Sequence, residues 1–299
     1  MYSKPAGSPA LTSVTVLLGA RALQPTTLYE RGTVDLASVS PTAVDRFAVS
    51  SSPYHDQLRS QPTFSGSYVF INPTLAPVDQ TALRRALLLG FDRAKVAAVS
   101  LDGRALAADG IVPPGMSGED DWRAALPAYD LEQARQLLET SGRPHGPLTI
   151  ATAGAGVAVS MKEVYERDLG LTVEVLEPDW QDFLSDLAQQ RLPVFTLSWV
   201  ADYADPSAFL DALFHSGSPD NYLGYHNPEV DDLLDRARAE QNREERIRLY
   251  REAQQRILDD GVVIPLYHDV EYWLVAPAVH GLQVTPLGVL GLETVWLSR

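Results

Sequence analysis

The 299-residue chain has no cysteine. Disulfides, thiolate chemistry and zinc–cysteine sites are therefore excluded. No run of eighteen apolar residues occurs, so no membrane-spanning helix is expected. Basic runs are missing as well. Lys plus Arg number 24 against 39 Asp plus Glu, a formal net charge of -15. Binding nucleic acid through its phosphates needs basic patches that release counterions, so that partner is not expected. Insertion into or attraction to an anionic membrane is disfavoured too. Surplus carboxylates keep a protein soluble and mildly favour cationic or zwitterionic ligands. The opening MYSKPAGSPALTSV lacks the long apolar stretch of an export signal. Either the chain is cytoplasmic or it is not the whole gene product.

Catalytic motifs are equally sparse. None of the six histidines has a second histidine four residues on, so there is no HExxH zinc site, and no metal or cofactor is expected. There is no G-x-S-x-G elbow. ATAGAGVAVS (151–160) offers two glycines of a dinucleotide fingerprint, but Val159 stands where the third is needed for close helix–strand packing. A tight strand-to-helix turn is the simpler reading.

What is present reads as α/β. With 45% hydrophobic residues the chain can build a sizeable core, and its length suits one large domain or two ordinary ones. SVTVLL (13–18), GSYVFI (66–71), LTIATA (148–153), LTVEVLE (171–177), LPVFTLSWV (192–200) and VVIPLYH (262–268) read as strands. Helices are expected at about 80–91, from Asp92 to about Leu101, at 130–141, 157–168 and 180–190, and twice within 227–260. Asp130 with Gln133, and Asn242 with Glu245, have capping-box spacing; Asp179 and Asn227–Pro228 also read as starts. Residues 102–128 read as a long Gly/Pro-rich loop. Strands near 68 and 264 bracket about 190 residues, which suggests two lobes joined by two crossings.

The most informative stretch is SWVADYADPSAFL (198–210). Two aspartates follow a strand end, where ligand clefts of α/β sheets lie. They could form an acid/base pair, but Asp205 before Pro206 also reads as a helix cap. Asp202 has no such structural task, and a carboxylate there can pair with an ammonium. Trp180, Trp199 and Tyr203 are candidates either for the core or for a pocket wall.

Several segments in collinear order resemble the solute-binding proteins of ABC importers for oligopeptides, dipeptides and nickel, the extracellular solute-binding protein family 5. They are YVFINPTLAPVDQTALRRALLLGFDR (68–93), ADGIVPPGMSG (108–118), YDLEQARQLLETSG (129–142), GLTVEVLEPDWQDFL (170–184), SWVADYADPSAFL, GYHNPEVDDLLDRA (224–237) and RIRLYREAQQRILDDGVVIPLYH (246–268). The resemblance implies a periplasmic-binding-protein type II-like fold that closes on its ligand by a hinge. One complete α/β lobe (68–268) would be joined by two hinge crossings to a partial second lobe (1–67 and 269–299). Family members have a long N-terminal portion ahead of the matching region, so the chain is expected to be the C-terminal part of a longer, extracytoplasmic protein that meets an ABC permease.

The resemblance also implies a site without catalysis. Asp202 matches the aspartate that pairs with a peptide's α-ammonium. Thr196, Ser198 and Val200 match strand positions that bond an extended peptide, and Trp180 matches a pocket-lining tryptophan; Trp199 and Tyr203 would add apolar walls. Arginines that some oligopeptide binders aim at a ligand carboxylate are replaced here by Leu187 and Thr196. A short peptide or another amine-bearing solute is the expected ligand. Two alternatives remain: a ligand-sensing module of a regulatory protein, and a hydrolase using Asp202 and Asp205.

Overall fold

The computed structural model describes residues 11–18, 24–100, 104–116, 126–141, 144, 146–154 and 156–298. These fall into two compact units, one within Met1–Thr63 and Asp269–Arg299, the other Phe64–His268. The first change of unit thus comes four residues ahead of the boundary expected at 67/68.

The larger unit is built on one sheet. Its strands are β2 (Leu58–Ile71), β3 (Leu106–Ala107), β4 (Leu148–Ala151), β5 (Val173–Leu176), β6 (Val194–Val200) and β7 (Val263–Val275). They run in the order β7-β2-β6-β4-β5, with β3 on β7. β2 and β7 are long enough to pass from one unit into the other. The βαβ spacing leads to parallel pairing, since a helical crossover is long enough to return the chain to the same end of the sheet: β4 is parallel to both β5 and β6. β2 pairs with β6 antiparallel, with Ser67 opposite Ser198 and Tyr68 opposite Leu197.

Alternation along the strands gives each face its own core. On one face Val69, Ile71, Ile150 and Val194 pack with Leu83 and Leu87 of α3 (Thr81–Leu89), Leu138 of α5 (Leu131–Ser141) and Met161 of α6 (Gly156–Val164). On the other, Phe70 stacks on Phe195 at 5.3 Å and meets Phe214 of α8 (Leu210–Phe214) at 6.3 Å. The remaining helices are α4 (Arg93–Ser100), α7 (Trp180–Ala188), α9 (Pro228–Ala239) and α10 (Arg243–Asp259).

Several starts follow the sequence rules. Asp179 accepts the amides of Gln181 and Asp182 at 3.0 Å, and Asn227 accepts that of Glu229 at 3.1 Å. The two capping boxes close only halfway. Asp130 and Asn242 accept the Gln133 and Glu245 amides, but their own amides go to the Leu89 carbonyl and the Glu240 carboxylate. Glu245 turns to Arg248 instead. The helix expected over 157–168 ends in a π-turn, Tyr165–Leu169, closed by Gly170 at φ 63°. Gly142, which follows the helix expected over 130–141, and residues 102–103 and 117–125 of the 102–128 loop lie outside the described residues.

The smaller unit contains α1 (Pro25–Glu30), β1 (Leu36–Val39), α2 (Val44–Ala48) and the end of β7, with Leu36 opposite Val275. Two short antiparallel pairs follow: β8 (Val279–His280) with β11 (Trp296–Leu297), and β9 (Gln283–Val284) with β10 (Leu290–Gly291). Its core cluster has six buried members, Tyr29, Ala37, Val39, Val44, Phe47 and Leu274. SVTVLL, expected to be a strand, pairs with nothing among the described residues and is exposed from Thr12 to Leu18. β-Propensity alone cannot make a strand without a neighbouring ladder.

Candidate functional site

The parallel strands of the larger unit place their carboxyl ends along one edge. β4 lies between β6 and β5 there. Asp202 follows β6 on one side of it, and Trp180, first residue of α7, follows β5 on the other. Thr152 and Gly154 close the middle.

β6 outruns its neighbour. β4 pairs with it only at Val194 and Phe195, whereas β2 accompanies it to Val200. The β2 ladder fixes which backbone groups are used. Asn72 donates to the Pro193 carbonyl at 2.8 Å and Ala201 to the Phe64 carbonyl at 2.9 Å, so odd-numbered residues face β2. Alternate residues face the opposite way in an antiparallel pair. Thr196, Ser198 and Val200 therefore turn their backbone groups toward β4, whose pairing ends at Ala151 opposite Phe195, so that Ser198 and Val200 face a side it leaves uncovered. Their side chains share one sheet face. The Ser198 and Ser67 hydroxyls meet at 2.7 Å, and Thr196 donates to Thr152 Oγ1 at 2.6 Å. Thr152 in turn bonds both the amide and the carbonyl of Gly154. The strand is thus presented as a rigid hydroxyl-lined rim with one open edge. Ser67 and Thr152 were not singled out from the sequence; the alternation of small hydroxyl residues along β2 and at the end of β4 was the available signal.

The two aspartates have different surroundings. Asp205 caps the 3-10 turn Pro206–Ala208, accepting the Ser207 amide at 3.0 Å and hydroxyl at 2.6 Å. Arg246 of α10 grips it as well, at 2.7 Å. Burial pushes its carboxyl upward, but the bonds from Arg246 and Ser207 outweigh that and hold it below the usual carboxylate range. A carboxylate so held is a poor proton donor, which removes half of the acid/base pair considered for a hydrolase. Asp202 lies in an exposed bend and makes no hydrogen bond or ion pair among the described residues.

The aromatics separate. Trp180 is half exposed and stacks on Phe183 at 5.9 Å. Tyr203 is also half exposed, its hydroxyl 3.1 Å from Ser207 Oγ. Trp199 lies on the opposite sheet face from Ser198, with its indole N–H donating to the Ala208 carbonyl at 2.7 Å. No group of three His, Asp or Glu able to hold a metal ion occurs among the described residues. Nor does residues 192–235 contain any Lys or Arg.

Comparison with known proteins bears on this arrangement. Residues 2–221 match the family model of bacterial extracellular solute-binding proteins, family 5 Middle. The probable di/tripeptide-binding protein 5 of Pseudomonas aeruginosa is 29% identical over 98% of this chain and 57% of its own length. The periplasmic oligopeptide-binding protein OppA of Escherichia coli is 26% identical over 85% of this chain and 48% of its own. The chain therefore spans about half the length of the relatives it matches. Among solved structures, the murein tripeptide binding protein MppA of Escherichia coli superposes with a TM-score of 0.77 at 21% identity, over 92% of this chain and 56% of that one. The Helicobacter pylori periplasmic binding protein DppA, solved with the peptide STSA, gives 0.76 at 22% identity, over 92% and 55%. These likenesses carry the fold, which is α/β and periplasmic-binding-protein type II-like. By the family match over most of its length, the chain belongs to the bacterial extracellular solute-binding proteins, family 5.

Proposed function

We propose that the chain forms the ligand-binding part of an ABC importer's solute-binding component and takes a short peptide, or another amine-bearing solute, by its ammonium end. It works outside the cytoplasm, performs no chemistry on the ligand and hands it to a permease. The observation that carries this reading is the uncovered edge of β6 beside the unpaired Asp202 carboxylate. An extended peptide added along Thr196, Ser198 and Val200 would gain main-chain hydrogen bonds, and its α-ammonium would meet Asp202 in a charge-assisted pair.

The surroundings support recognition of the amine end over the carboxylate end. Thr196 spends its hydroxyl on Thr152, and Leu187 is buried in the core, so neither offers a cation to a ligand carboxylate. Trp180, with Tyr203 near Asp202, supplies aromatic surface for ligand side chains. Trp199 contributes by packing behind the strand, through its bond to Ala208.

The test is calorimetric titration of the native protein with trialanine and with N-acetyl-trialanine, repeated for Asp202→Asn. Acetylation and the substitution should each weaken binding about 10- to 100-fold, one charge-assisted bond's worth, and together cost little more than either alone. Equal affinity for the free and acetylated peptides would sink the ammonium assignment.

A further inference from the structure

We propose that the site reads the second side chain of its ligand. It selects peptides whose second residue is aromatic or large and apolar, and takes no hold of the first and third side chains. The proposal rests on the strand-addition reading above and goes on to name the ligand class. Every group it uses belongs to the larger unit.

Strand parity carries the argument. A peptide whose ammonium meets Asp202 starts at the carboxyl end of β6 and runs back toward Thr196, so it is antiparallel to β6. Ser198 and Val200 turn their backbone groups to the uncovered side. Each then forms a hydrogen-bonded pair with the ligand residue opposite it. With residue 1 opposite Val200, residue 3 lies opposite Ser198 and residue 2 opposite Trp199. Opposite residues of an antiparallel pair share a sheet face. Side chains 1 and 3 therefore join Val200 and Ser198, and side chain 2 joins Leu197 and Trp199.

The two faces offer different surroundings. Val200 is 61% exposed, and Ser198 is exposed too. The hydroxyls beside them are spent on one another, Ser198 with Ser67 at 2.7 Å and Thr196 with Thr152 at 2.6 Å. Side chains 1 and 3 thus stand over satisfied hydroxyls and in water. On the other face Leu197 and Trp199 are half-buried. The Trp199 indole is pinned by its bond to the Ala208 carbonyl, so its ring is a fixed wall. Residue 2 meets it in a non-hydrogen-bonded pair, the kind in which opposite Cα atoms are only about 4.5 Å apart and side chains come closest.

Trp180 reaches the same face by the handedness of the crossovers. α6 leads from β4 to β5 and packs with Met161 on the Val194 face. α7 leads back across β4 to β6, in the opposite direction, and a right-handed connection then lies on the opposite face. The peptide continues the lane in which β4 ends. Trp199 borders that lane on the β6 side, and Trp180, 53% exposed, borders it on the β5 side. An aromatic or long apolar side chain between them gains contact with two rings.

The test is calorimetric titration of the native protein with Ala-Ala-Ala, Phe-Ala-Ala, Ala-Phe-Ala and Ala-Ala-Phe, each with a free and an acetylated amine. Ala-Phe-Ala should bind about tenfold more tightly than trialanine, the worth of one ring packed against aromatic walls. Phe-Ala-Ala and Ala-Ala-Phe should stay within about threefold of trialanine. In Trp180→Ala the ratio of Ala-Phe-Ala to trialanine affinity should fall to about threefold or less. An unchanged ratio there would overturn the slot between two rings. A gain at position 1 or 3 as large as at position 2, or none at position 2, would overturn the parity assignment. The ammonium reading would survive that result so long as acetylation weakened every peptide. Acetylated peptides that bound as well as the free ones would instead overturn the ammonium reading, and this inference with it.

Discussion

Arg246 holds the Asp205 carboxylate with two nitrogens, Nη1 2.7 Å from Oδ2 and Nη2 2.8 Å from Oδ1, across forty-one residues of sequence. The same guanidinium lies 5.0 Å from the Tyr250 ring centroid. This pair fastens the turn after β6 to α10 and so fixes where the segment bearing Asp202 and Tyr203 leaves the sheet. Arg246→Ala should lower unfolding free energy by about 2 kcal/mol, the scale of hydrogen bonds to a charged group in a half-buried site. Arg246→Lys should recover only part of it, since a lysine cannot make the two-pronged contact. Because the folded Asp205 carboxyl titrates below the unfolded one, its contribution is complete above pH ~4 and is lost as pH falls further. Urea melts at pH 7 and pH 3 check this: the two variants and the parent should differ less at the lower pH.

His268 makes a second, opposite kind of pH prediction. It is fully buried on β7, and neither ring nitrogen reaches hydrogen-bond geometry, although the Ser65 and Gly110 carbonyls lie alongside. Burial pushes its pKa down to about 4, with those carbonyls opposing in part. The unfolded histidine therefore binds a proton, near pH 6.5, before the folded one does. Stability is flat above that pH and falls as pH drops from about 6.5 to about 4, by roughly 3 kcal/mol in all. His268→Gln should flatten the slope in that window. Melting curves at half-unit pH steps would decide it, and an unaltered slope in the variant would show that other groups carry the acid sensitivity.

Gly66 sits between Tyr68 and this histidine. A Cβ there would lie 2.6 Å from the Tyr68 hydroxyl and 2.9 Å from His268 Nδ1. The hydroxyl cannot simply withdraw, because it donates to the Ile111 carbonyl at 2.6 Å. Gly66→Ala should cost about 1–3 kcal/mol, as overpacking does. In the Tyr68→Phe background, where the closest clashing atom is gone, the cost should be smaller. A double-mutant cycle on urea midpoints measures the difference, and strict additivity would place the strain elsewhere.

Local grammar made much of this legible in advance. Asp179, Asn227 and Asp205 cap where short polar side chains before helical runs should cap, and the βαβ spacing led to the parallel β4–β5 pairing. What escaped was whatever depends on partners distant in sequence. Nothing near Asp205 announces Arg246. Nothing in SVTVLL says that it finds no ladder among the described residues, since a strand is a property of two segments. Trp199 stands beside Ser198 in the sequence yet on the other side of the sheet. The open edge of β6 was legible least of all, because it arises from β4 ending at Ala151 while β2 continues alongside. The hydroxyl chain Ser67–Ser198 and Thr196–Thr152 likewise needs the register to be seen.

That edge allows a prediction that separates binding from folding by the parity of one strand. Ser198 directs its amide away from β2, whereas Leu197 and Trp199 direct theirs into the β2 ladder. Ser198→Pro removes an amide donor that the β2 ladder does not use, as proline at an edge position is tolerated, and Ser198→Ala serves as its reference because the hydroxyl that meets Ser67 is missing from both. Leu197→Pro removes one that the ladder does use. Ser198→Pro should leave the melting temperature within a few degrees of that of Ser198→Ala, a change of about 1 kcal/mol or less. It should still weaken trialanine about tenfold or more, by deleting one main-chain bond and crowding the added strand. Leu197→Pro should destabilise by about 3 kcal/mol or more and take binding down with folding. Calorimetric titration beside thermal melts reads both quantities. If Ser198→Pro bound trialanine as well as the parent, peptide addition along this edge would be excluded even were Asp202 still required. The ammonium contact and the strand contact would then have to be treated as separate questions.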